Sequence, residues 1–428
     1  MKNKKETLLI LTILITICII IFNRDKLYEA KYTEPKDTLL AITINGEIST
    51  TFPTTKYYET SVECTTGTGK VEWNGTKWVL TTNGITKGST KCNATFITKV
   101  PTFAETILAN NKVKAPITTP GATISTASEA LLASTEDDYG TSYYFRGAVT
   151  NNYVEFANKC WRIVRVGGDG SVKLILHNDN PTGAANPCDA ANNSASAAFA
   201  RYSGTTYEST FNTNYNDNAY VGFMYGTAGS STYEATHANT NNSTILTNLE
   251  TWYTNNLKDY ADTIADNVWC NDKTNVTDIT YNPWNMSNVN GLGYGTNKIY
   301  YGATQRLIST SNSAGGTGPS LKCNGKLSKI TSKIGLITVD ELAFAGYAYE
   351  LQNTTTYLQE NATEVLWWSL SPSSFDGSYA CVWCVYGSFG RFYNRYVSNT
   401  GAVRPSISLI SSTSITGDGT SENPYKVV

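Results

Sequence analysis

Cys381-Val-Trp-Cys384 has the spacing of a redox dithiol, which could carry out thiol–disulfide exchange. Dithiols of this kind normally begin a helix, because the helix N-terminus lowers the thiol pKa. The residues around this pair instead alternate as in a β-strand, which places positions three apart on opposite faces. We therefore expect the two sulfurs not to bridge each other, and the spacing does not favour redox or oxidase chemistry.

Other catalytic and metal-binding patterns are scarce. The chain contains two histidines, which excludes a three-histidine zinc site. Both lie in polar, loop-like sequence and are predicted to be solvated: His177 and His237. No Gly-x-Ser-x-Gly, His-Glu-x-x-His or phosphate-binding glycine loop occurs. The sequence therefore assigns no catalytic residue, no metal site and no cofactor.

Scattered carboxylates leave two alternatives open. Oxygen ligands for a structural calcium could come from Asp169, Asp340, Glu341 and Asp376. A calcium loop of the Asp-x-Asp type is missing, and Asp340 and Glu341 have a simpler role at a helix start. Paired carboxylates for a hydrolase cannot be chosen from sequence, because their separation is a three-dimensional property.

Between Tyr379 and Tyr396, aromatic residues alternate with Ser, Gly, Asn and Arg. Rigid rings provide contact area at little entropic cost, and small polar residues adapt their hydrogen bonds, as in antibody binding loops. This composition predicts a ligand-binding surface made of Tyr379, Trp383, Tyr386, Phe389, Arg391, Phe392, Tyr393, Asn394, Arg395 and Tyr396. The alternative is that these rings, Trp383 above all, pack in the core.

Three closing strands would position these rings: Ala380–Tyr386, Arg391–Val397 and Ala402–Leu409. Gly387–Gly390 and Ser398–Gly401 separate them as turns. Successive side chains point to opposite faces of a strand. We expect one face to cover the core and the other to present aromatic surface.

The overall composition favours an exported protein. The chain has 428 residues, which suggests two folded units, and only 16% are charged. Its polarity comes instead from Thr, Asn, Ser and Tyr. A net charge of -2 does not indicate a basic surface that would bind a polyanion, so nucleic acid is not an expected partner.

The first 26 residues place lysines ahead of an apolar run from Thr7 to Phe22. This pattern predicts an uncleaved signal anchor with its lysines inside, which would tether the protein to the cell membrane by a single pass. A cleaved signal peptide, which would make the protein secreted, is the alternative. In either case the remainder lies outside the cytoplasm, and residues 27–38 form a polar stalk.

An oxidising compartment favours disulfides. Apart from Cys18 in the apolar run, eight cysteines remain. Sequence order suggests the pairs Cys64–Cys92, Cys160–Cys188 and Cys270–Cys323, although eight cysteines permit 105 connectivities.

The sequence predicts an α+β, β-rich chain after the N-terminal helix. Residues 39–100 read as a small β-sandwich with a hairpin turn at Asn45-Gly46. Residues 101–138 read as a short helix and linker, residues 139–410 as a large mixed domain, and residues 411–428 as a polar tail with a final strand. In the mixed domain we expect a hairpin across Gly167–Gly170, and residues 178–243 mostly as irregular loops.

Two helices are predicted within this domain. One runs from a cap at Ser243 or Thr244 to Ile264, and the other begins with a capping box at Thr338.

Residues 140–410, roughly two thirds of the chain, resemble a family of exported bacterial domains of unassigned function. The resemblance rests on Trp367-Trp368-Ser-Leu-Ser-Pro372 and Gly401-Ala-Val-Arg404-Pro405, and it extends upstream through Trp161-Arg162-Ile163. Residues 39–100 resemble the small β-domain that often precedes it in Gram-positive surface proteins.

The same end is more loosely similar to C-type-lectin-like folds. These include the formylglycine-generating-enzyme branch and the ligand-binding proteins that retroelements diversify, which carry their variable residues on the closing strands. The resemblance implies a C-type-lectin-like fold for residues 139–410. The cysteine spacing here departs from that of the formylglycine-generating enzymes, which puts their chemistry in doubt.

Together these features predict a cell-surface protein that binds a protein or glycan ligand through the aromatic closing strands. The alternatives are a purely structural envelope protein and an extracellular enzyme, either a hydrolase or a thiol oxidase. Solvent exposure of the rings would distinguish the ligand-binding protein from the structural one. A pocket with converging titratable groups would favour the enzyme.

Overall fold

The computed structural model describes residues 38–86, 88–323, 325 and 328–427. These residues fall into two compact units, one on each side of the Pro101–Thr102 peptide bond. The predicted anchor and nearly all of the predicted stalk lie outside the described residues. Among the described residues, no helix combines the length and apolar character that crossing a membrane would require.

The first unit is all β. Its six strands are β1 (Thr38–Ile44), β2 (Glu47–Ser49), β3 (Tyr58–Cys64), β4 (Thr68–Trp73), β5 (Trp78–Asn83) and β6 (Thr90–Thr98). Four of them form a sheet in the order β2-β1-β6-β3, and β4 pairs with β5 as a hairpin. Asn45 and Gly46 form the tight β1–β2 turn with φ values of 50° and 87°, a conformation that favours Asn and Gly.

The core of the first unit lies under alternate strand positions. Phe96 is fully buried and contacts the rings of Phe52, Tyr58 and Trp78. The disulfide Cys64–Cys92 joins directly opposed residues of β3 and β6. A small domain with so few buried side chains gains from such a cross-link.

The second unit contains the remaining elements. Its strands are β7 (Ala130–Asp137), β8 (Gly140–Gly147), β9 (Tyr153–Phe156), β10 (Lys159–Val166), β11 (Val172–Asn178), β12 (Glu208–Thr210), β13 (Met224–Tyr225), β14 (Asn241–Asn242), β15 (Asn267–Cys270), β16 (Ile299–Tyr300), β17 (Lys329–Ser332), β18 (Leu366–Phe375), β19 (Ala380–Tyr386), β20 (Arg391–Tyr396), β21 (Thr400–Ala402), β22 (Ser406–Leu409), β23 (Ile415–Thr416) and β24 (Tyr425–Val427). Its α-helices are α1 (Phe103–Asn110), α2 (Tyr233–His237), α3 (Thr244–Asn256), α4 (Gly302–Leu307) and α5 (Val339–Ala345).

Two large sheets organise the second unit. One follows the order β22-β11-β10-β9-β24-β23, with β8 on β10 and β7 on β8. The other follows β12-β21-β18-β19-β20, with β16 on β18. One hydrophobic cluster contains residues from both sheets and from four helices, among them Ile107, Trp161, Leu249, Leu342 and Trp367. The described part of the chain is thus β-rich with short helices, as the sequence predicted at this level.

The predicted hairpin across Gly167–Gly170 is confirmed, since β10 and β11 pair antiparallel and Gly167 donates to the Ser171 carbonyl. The capping box at Thr338 is also confirmed: the Thr338 hydroxyl accepts from the Glu341 amide, and the Glu341 carboxylate accepts from the Thr338 amide. Ser243 caps α3. That helix ends at Asn256, earlier than predicted, although Ile264 is buried as the apolar pattern suggested.

The segment expected to be a linker contributes to the second unit. Phe103 and Ile107 of α1 are fully buried in its main core. β7 pairs with β8 along its whole length, from Ala130 opposite Gly147 to Asp137 opposite Gly140. The polar stretch before β7 is held by the buried Glu129, whose carboxylate accepts from the Ile117 amide and from Arg146.

The third closing strand is not continuous, contrary to the prediction. β21 pairs with β12 and β18, whereas β22 leaves that sheet and pairs with β11. Pro405 lies between them and has no amide hydrogen to donate to a ladder. Arg404 is buried beside it and donates to the carbonyls of Leu176 and Leu358, which holds the chain at the crossing.

The three predicted disulfides are confirmed, with Cys64–Cys92, Cys160–Cys188 and Cys270–Cys323 at bonding distance. Cys381 and Cys384 are buried free thiols, as the strand alternation predicted. In the second unit, Cys160–Cys188 links a loop to the start of β10, and Cys270–Cys323 links a loop to the end of β15. Each disulfide therefore restrains a loop next to a strand.

Candidate functional site

The ring-rich closing strands divide into three groups. Trp383 and Phe392 are fully buried and contact each other at 5.5 Å between ring centroids. The prediction that they belong to a ligand-binding surface is therefore wrong. β19 is paired on both edges, by β18 and β20, and it is buried on both faces as far as Val385, so neither of its faces presents the expected aromatic surface.

The second group forms what we call the arginine–tyrosine ladder: Tyr386, Phe389, Arg391, Tyr393 and Arg395. Strand alternation places Arg391, Tyr393 and Arg395 on one face of β20, opposite to the face that holds Phe392. Both guanidinium carbons lie within 6 Å of the Tyr386 ring centroid, at 5.8 Å for Arg391 and 5.1 Å for Arg395. Phe389, at the β19–β20 turn, lies 5.3 Å from the Arg391 guanidinium and is 46% exposed.

The ladder arginines differ from the other described arginines in their partners. Most of the others pair with a carboxylate: Arg146, Arg162, Arg165, Arg201 and Arg306. Arg404 is buried and donates to carbonyl oxygens. Within the described part of the chain, Arg391 and Arg395 have no carboxylate partner, and the buried Nε of Arg391 has no hydrogen-bond acceptor.

The ladder rings are held from behind. Tyr349 stacks on Tyr393 with an interplanar angle of 11° and meets Trp383 edge to face. Burial raises the pKa of Tyr349 to about 12, so its hydroxyl is protonated and donates to Asn312. Burial also raises the pKa of Tyr386, against the opposing effect of the Arg395 guanidinium. Tyr349 and Tyr386 are therefore neutral near pH 7.

The free edge of β20 is covered beside the ladder. Tyr349 forms a parallel bridge with Phe392, the Glu350 amide donates to the Phe392 carbonyl, and the Asn353 amide donates to the Gly390 carbonyl. This part of the edge has little capacity left to pair with another strand.

The third group is a stack of three tyrosines at the other end of the same strands. Tyr379 stacks on Tyr396 at 4.3 Å and on Tyr215 at 5.1 Å, with interplanar angles of 26° and 12°. Each ring remains more than a third exposed. We call this group the tyrosine stack. Tyr215 was not predicted, because it lies in a long irregular segment whose sequence carries no periodic signal.

Asn394 is half-buried on β20, directly opposite Trp383. It faces the same side of the sheet as the buried Phe392 and the exposed Tyr396. The predicted surface is thus two separate groups of rings, because successive residues of one strand point to opposite faces.

The free cysteines lie between these groups and are shielded. Cys384 is opposite Tyr393, and Cys381 is opposite Tyr396. Burial raises the pKa of each thiol to about 12. A thiol that is protonated and out of contact with water is a poor nucleophile, so the geometry argues against oxidase chemistry here.

A polar cleft elsewhere in the second unit was not predicted as a site. The disulfide Cys270–Cys323 lies on its wall, and its lining includes Asp137, Asp138, Tyr139, Asp169 and Ser371. On its floor, Glu341 accepts from Lys173 at 2.7 and 2.9 Å and from Arg165 at 3.0 Å. Beside it, Arg306 donates to Asp340 at 2.7 and 2.8 Å and to Asp272 at 2.7 Å.

This cleft does bring titratable groups together, which an enzyme would require. Burial alone would raise the pKa of Glu341, but Lys173 and Arg165 lower it to about 2. The floor carboxylates Asp137, Asp272, Asp340 and Glu341 are all held by arginine or lysine. Burial lowers the pKa of Lys173 to about 8, yet its ammonium is bonded to both oxygens of Glu341, so the network fits a joint between α4, α5 and the β10–β11 hairpin better than a reaction centre.

The carboxylates considered for calcium are otherwise engaged. Asp340 and Glu341 pair with cations, Asp169 accepts from Ser171, and Asp376 accepts from the amides of Ser378 and Tyr379. No group of three or more metal-ligating side chains is arranged for a metal ion among the described residues.

Both histidines are buried, so the prediction that they are solvated is wrong. His177 lies in β11, and burial lowers its pKa well below the usual value. His237 ends α2 against Tyr301, and its ring nitrogen Nε2 donates to the Gly293 carbonyl at 2.8 Å. Burial lowers the pKa of His237 to about 3. Polar neighbours in sequence do not report the tertiary contacts that exclude water. Both rings are neutral and structural.

Comparison with known proteins gives no relative. No family model, no curated protein and no solved structure matches the chain.

Proposed function

We propose that the protein binds a protein or glycan ligand at the cell surface through the rings of β19–β20 and the adjoining turns. The observation that carries the proposal is the tyrosine stack, in which Tyr379 stacks on both Tyr215 and Tyr396 while each ring stays more than a third exposed. Burying such rings against a partner removes apolar surface from water, and Tyr is enriched at binding hot spots for this reason. In this proposal an N-terminal anchor tethers the second unit, which has a C-type-lectin-like fold.

The contrast within one strand supports binding over a purely structural role. β20 sends Phe392 into the core while Tyr396, on the same face but beyond the core, remains 41% exposed. A structural strand would gain more stability by covering that ring. An exposed Tyr396 ring is useful to a binding protein, because a partner can bury it.

The test screens the full-length chain in detergent micelles against a printed array of microbial and mammalian glycans and against fixed bacterial and epithelial cells. The wild type is compared with the double variants Tyr379→Ser/Tyr396→Ser and Tyr386→Ser/Tyr393→Ser. We expect either variant to weaken binding about tenfold or more, since losing a hot-spot ring costs about 1–2 kcal/mol.

Matched controls are Tyr139→Ser and Tyr260→Ser, which remove rings that are 54% and 42% exposed outside the closing strands. Both should bind as the wild type does. If all four variants bind equally, or if the wild type binds neither the glycans nor the cells, the recognition role is overturned in favour of a structural envelope protein.

A further inference from the structure

The arginine–tyrosine ladder has the charge of an anion-binding surface. Arg391 and Arg395 converge on the Tyr386 ring, with guanidinium carbons 5.8 and 5.1 Å from its centroid. Arg395 also lies 6.0 Å from the Tyr393 centroid. Cation–π attraction stabilises each guanidinium beside the ring but does not neutralise its charge.

The surroundings do not supply that compensation. Glu350, Glu364 and Asp376 are acidic residues on adjacent segments, and none of them forms an ion pair with Arg391 or Arg395 in the described part of the chain; Asp376 instead caps the turn before β19. The buried Nε of Arg391 lacks an acceptor, although buried donors are nearly always satisfied. An incoming anion at the accessible nitrogens of these half-buried guanidinium groups would supply the negative charge that the fold does not.

We infer that the ladder binds an acidic glycan, a saccharide whose carboxylate or phosphate groups pair with Arg391 and Arg395 while its sugar rings lie on Tyr386 and Tyr393. This inference rests on the proposed function and names its ligand class. Guanidinium groups match carboxylate and phosphate oxygens with paired hydrogen bonds. The apolar C–H face of a pyranose ring is complementary to the electron-rich face of tyrosine.

The geometry favours a glycan over an acidic peptide. Extended peptides commonly add to a free strand edge, and the β20 edge beside the ladder is already bonded through Phe392 and Gly390. What remains for a ligand is an open face of half-buried rings with half-buried arginines between them. Small polar side chains at the turn, such as the exposed Ser388, can bond to sugar hydroxyls.

The experiment measures dissociation constants for the full-length chain with fluorescent oligogalacturonate and with the same oligomers after methyl esterification, which removes the charge and keeps the sugar. Phosphomannan, a saccharide that carries phosphate groups, forms the phosphate arm, and oligoglutamate forms the peptide arm. We expect an acidic glycan to bind at least tenfold more tightly than the neutral ester, with affinity falling as salt rises. Preference for galacturonate identifies a carboxylate source, and preference for phosphomannan a phosphate source.

Arg391→Gln/Arg395→Gln should lower that affinity at least tenfold, and Arg391→Lys/Arg395→Lys should recover part of it, because lysine keeps the charge without the planar donor pair. Lys426→Gln, which removes an exposed cation bonded to Glu155, is the matched control and should bind normally. The ester comparison uses only the wild type, so it stands even where an arginine variant fails to fold.

Equal binding of acid and ester would overturn the acidic ligand class while leaving the proposed function intact when the tyrosine variants still weaken binding. Oligoglutamate binding as tightly as either acidic polymer would overturn the glycan assignment. Failure of both oligogalacturonate and phosphomannan to bind would also overturn the inference, whereas failure of the proposed function shows as unchanged binding by the tyrosine variants.

Discussion

Arg395 lies over the ring of Tyr386 although the two residues are not opposed across the sheet. The register pairs Arg395 with Val382 and Tyr386 with Arg391, yet the Arg395 guanidinium carbon is 5.1 Å from the Tyr386 centroid. The Arg395 side chain therefore runs along the sheet toward the β19–β20 turn, where its guanidinium carbon lies 5.1 Å from the Tyr386 centroid and 6.0 Å from the Tyr393 centroid. This diagonal contact joins both arginines to one ring.

The diagonal contact predicts a measurable coupling between the two side chains. In a double-mutant cycle of Arg395→Gln and Tyr386→Leu, we expect a coupling free energy of about 0.5–1 kcal/mol, typical of a partly exposed cation–π pair. Chemical denaturation of the single and double variants gives this value. The control cycle combines Arg395→Gln with Phe389→Leu, because among the described residues the Arg395 guanidinium lies beside Tyr386 and Tyr393 and not beside Phe389. Coupling near zero in both cycles would contradict the contact between Arg395 and Tyr386.

The split between core and surface rings predicts unequal costs of truncation. Phe392→Ala should lower the free energy of unfolding by about 3–5 kcal/mol, because it removes a fully buried ring and leaves a cavity. Phe389→Ala should cost below about 1 kcal/mol, since surface substitutions are usually mild. Urea denaturation followed by tryptophan fluorescence measures both. Equal costs would show that the two rings share one environment.

Glu341 predicts loss of stability in acid. Its pKa is about 2 in the folded protein against a usual value of 4.5, so its contribution is fully present above pH 4.5 and is lost as the pH falls toward 2. The difference corresponds to about 3 kcal/mol. Unfolding free energies measured across this range should fall more steeply for the wild type than for Glu341→Gln.

The matched control for Glu341 is Glu234→Gln, which alters an exposed carboxylate at the start of α2. Its stability profile should follow that of the wild type. A Glu341→Gln profile with the same acid slope as the wild type would mean that the ion pairs with Lys173 and Arg165 do not lower the pKa of this carboxyl group.

The two free thiols predict slow chemical labelling. In a Cys18→Ser background, Cys381 and Cys384 should react with iodoacetamide at pH 8 only after denaturation, because both are buried and their pKa is raised to about 12. Mass spectrometry of peptides from native and denatured samples measures the difference. Labelling of the native protein within minutes at either cysteine would restore the thiol-oxidase alternative.

Local patterns in the sequence determined the parts of this protein that depend on neighbours along the chain. The Asn45-Gly46 turn, the β10–β11 hairpin and the capping box at Thr338 follow from residue conformations and hydrogen bonds within a few positions. The cysteine pairs followed from the order of the cysteines along the chain, and the opposite facing of Cys381 and Cys384 followed from strand alternation.

Only the tertiary structure decided which rings meet water. Strand alternation places Trp383 and Tyr379 on the same face, yet Trp383 is fully buried and Tyr379 is exposed to solvent. The difference arises because burial depends on how far the neighbouring sheet and loops extend. Tyr215 and the ion pairs of Glu341 with Lys173 and Arg165 bring together residues distant in sequence. Such contacts arise from the packing of whole elements, which periodicity along one strand does not encode.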